Sequence, residues 1–533
     1  MRARLAALAR CGALLLLFVV ASTSGAAAER VVHRGGTDDP TTLDPHKVGF
    51  PGETTVMTDL FVGLTSLDPQ ARPIPGCAES WVIDPDGRRW TFRMRAGLRW
   101  SDGTPLDARD FEWSLRRALN PRTAFPFAGR LFMIRNARAV AAGTAPPEAL
   151  GVKAIDPQHL QIDLEHPAPY LDEVLATFAM PVPRRSVEVL GEGWIAPGRM
   201  VSNGPFLLQE WRPNAFLRLR RNPAFYDAAH VMVDAVVHYP TAQPATAIRR
   251  YQAGELDFVV SVPAEQVNRL RAQFGEQLKV DPGIGLEALA FNVRQGPTAD
   301  PRVRRALSLA IDREALARNI LRSPEQAAYG YVSPGVSRYP RRARVDFADW
   351  PAARRLSGAG RLLREAGFGP ANPLRLRLAF PANDANRRIA VVLDAMWRAA
   401  GVRAELQAKE QRALVADIAR GEFDAVRVQW LSAHTDPLAF LERLDGGAAG
   451  TTLNPAGYRN ARFDALLAAA AEEADVARRA ARLYQAETVA LADQPVAPLH
   501  WFVGRRLVSP RLTGWSRNPR SVHLSRYMSV PAR

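Results

Sequence analysis

The chain has 533 residues, of which 47% are hydrophobic and 23% are charged; because this length exceeds one hydrophobic core, we expect two or three globular domains. The formal net charge is +16, yet the basic residues are almost all arginines that are spread along the whole chain. No dense basic tract alternates with aromatic residues, as a nucleic-acid groove would require, so we predict no nucleic acid partner.

The first 28 residues have the composition of a secretory signal peptide. Three arginines precede the apolar run CGALLLLFVVA at 11–21, and small residues at 26–28 offer a cleavage site after Ala28. The apolar run is too short to span a membrane. We therefore expect an exported mature protein. Cys77 is then the one remaining cysteine, which excludes an internal disulfide and a cysteine-based metal site.

The mature part begins with a predicted strand at residues 31–36, which ends in turn residues at 37–40. Further along, Trp90, Phe92 and Met94 alternate with polar residues. A strand that is buried on one face has this period of two. The region therefore predicts strands that cover a core on one side.

Two helices are predicted from their first residues. Asp107 and Asp110 have the spacing of a variant capping box, and this role accounts for both carboxylates without catalysis or a metal. Asp300 and Pro301 have the residue types of an N-cap and a first helical position, so we predict a helix over residues 300–321.

The carboxy-terminal half alternates between strands and helices. Strands are predicted at residues 374–380, 402–408 and 423–430, with helical segments between them. A last strand is predicted at residues 496–503 after a long helical region. This order is typical of an α/β domain.

Two stretches repeat one local pattern, a helix that ends at Gly-Glu and is followed by an apolar strand. They are IARGEFDAVRVQW at 418–430 and RYQAGELDFVV at 250–260. Two such units predict two α/β lobes with a ligand between them, because open α/β sheets bind ligands where strands end. The alternative is that Gly-Glu is only a common helix stop, and the repeat alone does not separate the two interpretations.

Motifs that carry catalysis or cofactor binding are absent from the sequence. It has no Gly-Lys-Ser/Thr phosphate loop, no Gly-x-Ser-x-Gly elbow and no His-Glu-x-x-His, and its nine histidines are scattered. We predict no enzyme activity, no metal and no cofactor. Aromatic residues near predicted strand ends, Phe127, Trp430, Trp501 and Phe502, instead suit the wall of a binding cleft, although each is equally compatible with a core position.

Several stretches together resemble extracellular solute-binding proteins of family 5, which serve peptide import systems, and among them the oligopeptide-binding proteins. The matching stretches are LDPHK at 43–47, PGCAESW at 75–81, WTFRMRAGLRWSDGTPLDARDFEWSLRRAL at 90–119, SNGPFLLQEW at 202–211, RYQAGELD at 250–257, DPRVRRALSLAIDR at 300–313 and GEFDAVRVQW at 421–430.

The resemblance implies an α/β fold of the periplasmic binding protein-like class II, in which two hinged lobes close on a ligand and an extra domain is inserted. Lobe I would comprise residues 29–50, 183–284 and 505–533, the extra domain residues 51–182, and lobe II residues 285–504. It also implies a monomeric periplasmic protein that delivers an oligopeptide or related solute to the membrane permease of an ABC importer.

The resemblance further implies where the ligand binds. Thr37, Asp38 and Asp39 would lie beside it, Arg427 would reach a ligand carboxylate, and Trp430 would line a wall of the cleft. The other candidate ligand-binding residues are Phe127, Ser432, Ala433, His434, Asp436, Trp501 and Phe502.

Ala433 departs from the family pattern. The family's peptide binders have an Asp at this position, which pairs with the free α-amino group of the peptide. A hydrogen bond to a charged group contributes about 1.5–3 kcal/mol. Unless Asp436, Asp38 or Asp39 substitutes, we expect a blocked, modified or non-peptide amide-containing ligand.

Two other function classes stay open at this point. One is an exported adaptor or chaperone-like protein that is not coupled to uptake. The other is an exported hydrolase, for which the sequence nominates no nucleophile and no base.

Overall fold

The structure is a computed structural model that describes residues 28–37, 39–49, 51–241, 243–321 and 326–532. Asp38 and all but the last residue of the predicted signal peptide lie outside the described residues. Within the described part of the chain, no helix combines the length and the apolar character needed to cross a membrane.

Seventeen strands are present in the described residues. They are β1 (Val31–Thr37), β2 (Thr65–Leu67), β3 (Pro73–Pro75), β4 (Ala78–Ile83), β5 (Arg89–Met94), β6 (Val152–Asp156), β7 (His159–Asp163), β8 (Phe206–Arg212), β9 (Phe216–Arg221), β10 (Ala235–Pro240), β11 (Phe258–Val259), β12 (Leu278–Phe291), β13 (Gln326–Ala327), β14 (Arg375–Pro381), β15 (Arg403–Lys409), β16 (Ala425–Leu431) and β17 (Val496–Val508).

The α-helices of the same residues are α1 (Pro51–Leu60), α2 (Ala108–Leu119), α3 (Ala137–Ala141), α4 (Leu171–Phe178), α5 (Arg184–Leu190), α6 (Pro244–Gln252), α7 (Val267–Phe274), α8 (Pro301–Leu309), α9 (Arg313–Ala315), α10 (Ala352–Glu365), α11 (Asp384–Ala399), α12 (Gln411–Arg420), α13 (Leu438–Leu441), α14 (Ala461–Ala471) and α15 (Val476–Asp493).

One large sheet connects two α/β parts. Its strand order is β15-β14-β16-β12-β17-β11-β1-β10-β9-β8, and β13 pairs with β17 beside this path. Parallel pairs lie on both sides of the centre, β14 with β15 and β16, and β1 with β10 and β11. The long strands β12 and β17 pair antiparallel between them. The predicted α/β class is confirmed.

The buried apolar residues form two large clusters. One draws on residues 284–499, and the other on residues 32–258 and 508–530. The second cluster includes the inner face of a separate four-stranded sheet, ordered β4-β5-β7-β6. Trp90, Phe92 and Met94 of β5 are buried there, which confirms the predicted half-buried strand.

The pairing of β12 with β17 is interrupted between the two α/β parts. Pro282 pairs with Val503, and the next pair towards the other part is Leu286 with Trp501. Between these pairs, β12 has the three residues 283–285 and β17 only Phe502. Extra residues in one strand bend it locally. The predicted strand 496–503 is therefore too short, because β17 continues through this irregularity to Val508.

Helix caps follow the sequence closely, with one correction. Asp107 and Asp110 form the predicted capping box of α2, and Asp300 caps α8. The predicted helix over residues 300–321 is wrong as one element, because α8 ends at Leu309 and Asp312 caps a new helical turn. Asp312 is a second N-cap residue within the predicted helix, and it indicates that the helix is interrupted there.

Candidate functional site

A cavity of about 460 Å³ lies between segments that are far apart in sequence. Its walls are α1, residues 127–130 and the end of α4 on one side, and the β12–β17 irregularity with residues 431–433 on the other. Residues 519–523 complete it. A second cavity of about 520 Å³ is formed by residues 360–403 alone. Ligand sites favour junctions between structural units, so the first cavity is the candidate site.

Aromatic and aliphatic side chains form much of the cavity wall. Phe127 and Phe178 are in contact, with ring centroids 5.3 Å apart. Phe502 of β17 also lines the cavity, as does Leu431, whose side chain is half exposed. Gly285 permits this arrangement: a Cβ there would lie 2.6 Å from the Phe502 ring and 2.8 Å from Leu431.

The charged side chains of the cavity wall are arginines. Arg130 and Arg520 line it, and no aspartate or glutamate is among the described residues that do. Arg520 donates to the carbonyl oxygen of Ala433 at 2.8 Å, and its Nη1 is 3.7 Å from a carboxylate oxygen of Glu173. Within the described chain, the Arg130 guanidinium has neither a hydrogen bond nor an ion pair. The wall is therefore apolar with a positive edge.

His523, which lines the cavity, and His434, which lies just outside it, are both uncharged at neutral pH. Burial lowers the pKa of His434 to about 3, and the attraction of Asp436 does not outweigh it. Burial, with the nearby Arg506 and Arg34, lowers the pKa of His523 to about 2. Neither imidazole therefore adds a titrating charge between pH 5 and 8.

Four of the predicted site residues line the cavity together: Phe127, Ser432, Ala433 and Phe502. The cavity therefore brings together residues about 300 positions apart in the sequence. The Ser432 hydroxyl donates to the carbonyl oxygen of His434 at 2.6 Å, which fixes the turn that presents Ala433.

Two predicted residues on β16 lie inside the carboxy-terminal α/β part instead. The Arg427 side chain is buried, its Nη2 lies 2.5 Å from the Glu287 carboxylate, and it also contacts Asn386. Trp430 is 2% exposed and packs against Tyr331, with ring centroids 5.8 Å apart. Neither is among the residues that line the cavity.

The loop after Ala433 turns away from the cavity. His434 stacks on Tyr170 with ring centroids 4.0 Å apart. Asp436 is buried, forms an ion pair with Arg479 at 3.2 Å and accepts from the Leu438 amide. The Asp436 carboxylate is therefore already neutralised within the protein.

The remaining predicted residues lie on β1, on β17 and in the segment after β1. Thr37 is the last residue of β1, and its backbone is in register with Pro240. Asp38 lies outside the described residues. Asp39 accepts from the Asn214 amide at 2.6 Å. Trp501 is in β17 opposite Leu286 and, like Asp39, is not among the residues that line the cavity.

Sequence reasoning missed Arg130, Arg520 and the threonines of α1. Arg130 lies three residues after Phe127, in the short 3-10 helix that follows it. The prediction of Phe127 as a cleft residue could therefore have been extended to Arg130. Arg520 lies in an irregular segment near the carboxy terminus. Nothing periodic in the sequence placed that segment against Ala433.

A cavity between two α/β parts of one continuous sheet is the architecture of a solute-binding protein. A model of the bacterial extracellular solute-binding proteins, family 5 Middle, matches residues 72–452. The periplasmic murein peptide-binding protein MppA of Escherichia coli (strain K12) is 35% identical over 502 residues, covering 92% of each chain.

Two further relatives from Escherichia coli (strain K12) match nearly the whole chain. The periplasmic oligopeptide-binding protein OppA is 32% identical and covers 96% of this chain and 94% of its own. The probable deoxycholate-binding periplasmic protein YgiS is 33% identical and covers 95% and 94%. The solved structure of MppA in its unliganded open form has a TM-score of 0.84 at 33% identity, covering 95% of this chain and 98% of that one.

This chain belongs to the bacterial extracellular solute-binding proteins of family 5. The predicted family and the predicted class of fold are thereby confirmed. The protein is periplasmic, like these relatives. The members of the family are substrate-binding proteins and not enzymes.

Proposed function

We propose that this chain is the substrate-binding protein of an ABC importer, which captures a peptide or peptide-like solute and delivers it to a membrane permease. The observation that carries the proposal is the cavity of about 460 Å³, whose walls come from segments that are hundreds of residues apart. A cavity of this size is typical for a small organic ligand. The relatives named for murein peptides and oligopeptides support the solute class.

The predicted division into lobes is part of this proposal. The cavity takes Phe127 and Phe178 from the segment 51–182, Ile284 and Pro519 from segments assigned to lobe I, and Leu431 from lobe II. A solute that contacts all three units would favour their closed arrangement, because it would bind that arrangement more tightly. The extra residues of β12 at 283–285 are the place where we expect the hinge.

The same geometry argues for binding without chemistry, so we propose that the chain is not an enzyme. Among the described side chains that line the cavity, His523 is the one that could act as a base, and it lies against Arg506 and Asn518. A nucleophile with a base within hydrogen-bonding reach is the signature of covalent catalysis. No such pair involves the cavity residues that the structure describes.

The Ala433 position supports a solute without a free amino terminus. Two of the carboxylates that could replace the missing one are engaged elsewhere, Asp436 with Arg479 and Asp39 with the Asn214 amide. A buried ammonium without a counter-charge is strongly disfavoured. We therefore propose a blocked, modified or non-peptide amide-containing solute, of which the relative named for deoxycholate gives a non-peptide precedent.

Small molecules released from the purified, denatured protein would be identified by mass spectrometry. Calorimetry would then compare free and N-acetylated versions of the same tri- to pentapeptides. We expect the acetylated forms to bind more tightly, by roughly ten-fold.

Tight binding of the free forms alone would contradict the blocked-solute proposal, and Asp436→Ala would show whether Asp436 supplies the counter-charge. Turnover of a peptide and ester panel would instead favour a hydrolase, and a cavity that binds no small solute would favour an adaptor.

A further inference from the structure

The charges around the cavity do not balance. Buried carboxylates accompany most of the arginines there: Asp436 faces Arg479, and Glu173 with Asp172 faces Arg338 and Arg520. These groups are neutral as a set. Of the two arginines that line the cavity, Arg520 has an ion pair with Glu173, whereas Arg130 has none in the described chain.

Glu442 is a carboxylate whose charge attracts that of Arg130. It is half-buried, and partial burial raises its pKa while the attraction of Arg443 and then of Arg130 opposes that rise. Glu442 does not line the cavity. Two guanidinium groups therefore share one carboxylate, and one positive charge remains available on the side of the cavity.

The Arg130 guanidinium also has free donors. In the described chain none of its N–H groups is committed to a hydrogen bond, whereas Arg520 spreads its donors over Ala433, Thr177 and Glu173. A guanidinium can hold a carboxylate through two parallel hydrogen bonds. A carboxylate in an apolar cavity needs such a partner to offset its desolvation.

We propose that the solute is an amphipathic organic anion, with an acidic group held by Arg130, an apolar body against Phe127, Phe178 and Phe502, and no ammonium group. This inference rests on the proposed function and names its solute class. A peptide with a free amino terminus would place a positive charge in a cavity whose side-chain charges are arginines. A carboxylate, sulfonate or phosphate on a bulky apolar body meets complementary groups at both ends.

Three forms of one dipeptide separate charge from shape. The probes are N-acetyl-Leu-Phe, which is an anion, its carboxamide, which is neutral, and Leu-Phe-amide, which is a cation. Calorimetry on the full mature chain at pH 7 would give the three dissociation constants. We expect the anion to bind roughly ten-fold or more tightly than the neutral form, and the cation to bind most weakly.

Variants assign the preference to one side chain. Arg130→Gln should reduce the anion-to-neutral ratio to below about three-fold, and Arg130→Lys should restore part of it through charge. Arg388→Gln is the matched control. Arg388 lies exposed on α11 and does not line the cavity, and its substitution removes the same unit of positive charge as Arg130→Gln. Its ratio should equal that of the unchanged protein.

The outcomes distinguish this inference from the proposed function. Equal binding of anion and carboxamide, or an unchanged ratio in Arg130→Gln, would overturn the anion proposal. Tightest binding of the cation would also overturn it, while supporting a peptide-binding role. If no probe binds, the molecules recovered from the denatured protein decide: an acidic amphipath supports the inference, and a neutral or cationic solute ends it. Recovery of no small molecule and binding of no peptide would contradict the proposed function itself.

Discussion

Arg427 and Arg130 are the same residue type in opposite surroundings. Arg427 is 8% exposed and forms an ion pair with Glu287, whereas the Arg130 guanidinium lines the cavity and has no hydrogen bond or ion pair in the described chain. The family resemblance pointed to Arg427, and the geometry points to Arg130. The difference shows that burial and pairing, not residue type, decide whether an arginine is available to a solute.

The surroundings of Arg427 follow from strand register. On the neighbouring strands β12 and β16, Glu287 is opposite Gln429, and Arg427 is the diagonal neighbour on the same face. Glu287 accepts hydrogen bonds from both side chains. Burial still raises the pKa of Glu287, although Arg427 opposes this shift. The cluster is therefore a structural ion pair that requires both partners.

The largest expected effect is on stability. Arg427→Met leaves the Glu287 carboxylate buried without its main partner, and removal of one member of a buried pair destabilises by about 3–5 kcal/mol. Urea unfolding of the signal-free protein would measure it. Arg130→Gln should change the free energy of unfolding by about 1 kcal/mol or less, because no ion pair is lost.

A double variant sharpens this result. Arg427→Met with Glu287→Leu removes both charges, and we expect it to recover much of the lost stability. If Arg427→Met left stability unchanged but abolished solute binding, Arg427 would contact the solute and the comparison would be reversed.

Asp172 is a buried carboxyl group that can be compared with Glu287, because its arginine partner, Arg338, lies farther away than Arg427 lies from Glu287. The Asp172 Oδ2 atom is 3.7 Å from the Arg338 guanidinium. Burial raises the pKa of Asp172 to about 6, and the repulsion of Glu173 adds to this rise. The attraction of Arg338 and Arg520 lowers the pKa but does not outweigh burial. The unfolded value is about 3.9. The folded state therefore binds more protons between these values, and stability falls as pH rises from about 4 through 6.

From this group we expect a loss of about 2 kcal/mol across that window. Asp172→Asn keeps the acceptor for the Glu173 amide and should remove this part of the pH dependence, with higher stability than the parent at pH 7. The exposed Asp349 provides a control, Asp349→Asn, for the general effect of one lost charge. An unchanged slope in Asp172→Asn would show that other groups titrate in this range.

Local patterns predicted much of the fold. The capping pair Asp107 and Asp110, the alternation in β5 and the glycines that end two helices, Gly254 and Gly421, are decided by neighbours in the chain. Both glycines have positive φ, +75° and +72°, as a helix stop requires. These features were readable because their causes are local.

The site was only partly predictable, because its causes are not local. Phe127 and Phe502 were predicted as aromatic residues near strand ends, but nothing in the sequence indicates that Arg520 reaches Ala433 from 87 positions away. The pairing of Arg427 with Glu287 depends on the register of two strands that are 140 positions apart. Side-chain availability is therefore a property of tertiary structure, which resemblance by position does not report.

The smallest expected effect tests the cavity at position 433 directly. Ala433→Asp places a carboxylate on the cavity wall, where a free α-amino group would pair with it. Arg520 already donates to the backbone carbonyl of this residue and would share the new charge. We therefore expect the affinity for free-amine peptides, relative to their N-acetylated forms, to rise by about ten-fold, near the lower end for a charged hydrogen bond.

Calorimetry with matched peptide pairs would measure this ratio, and Ala433→Asn is the control that changes shape without charge. A ratio that rises in the Asp variant and stays constant in the Asn variant would show that position 433 faces the amino end of a bound peptide. A ratio that is constant in both would place the solute away from this loop. Arg130 would then be the charge that orients the solute, and the apolar side chains around it would determine its shape.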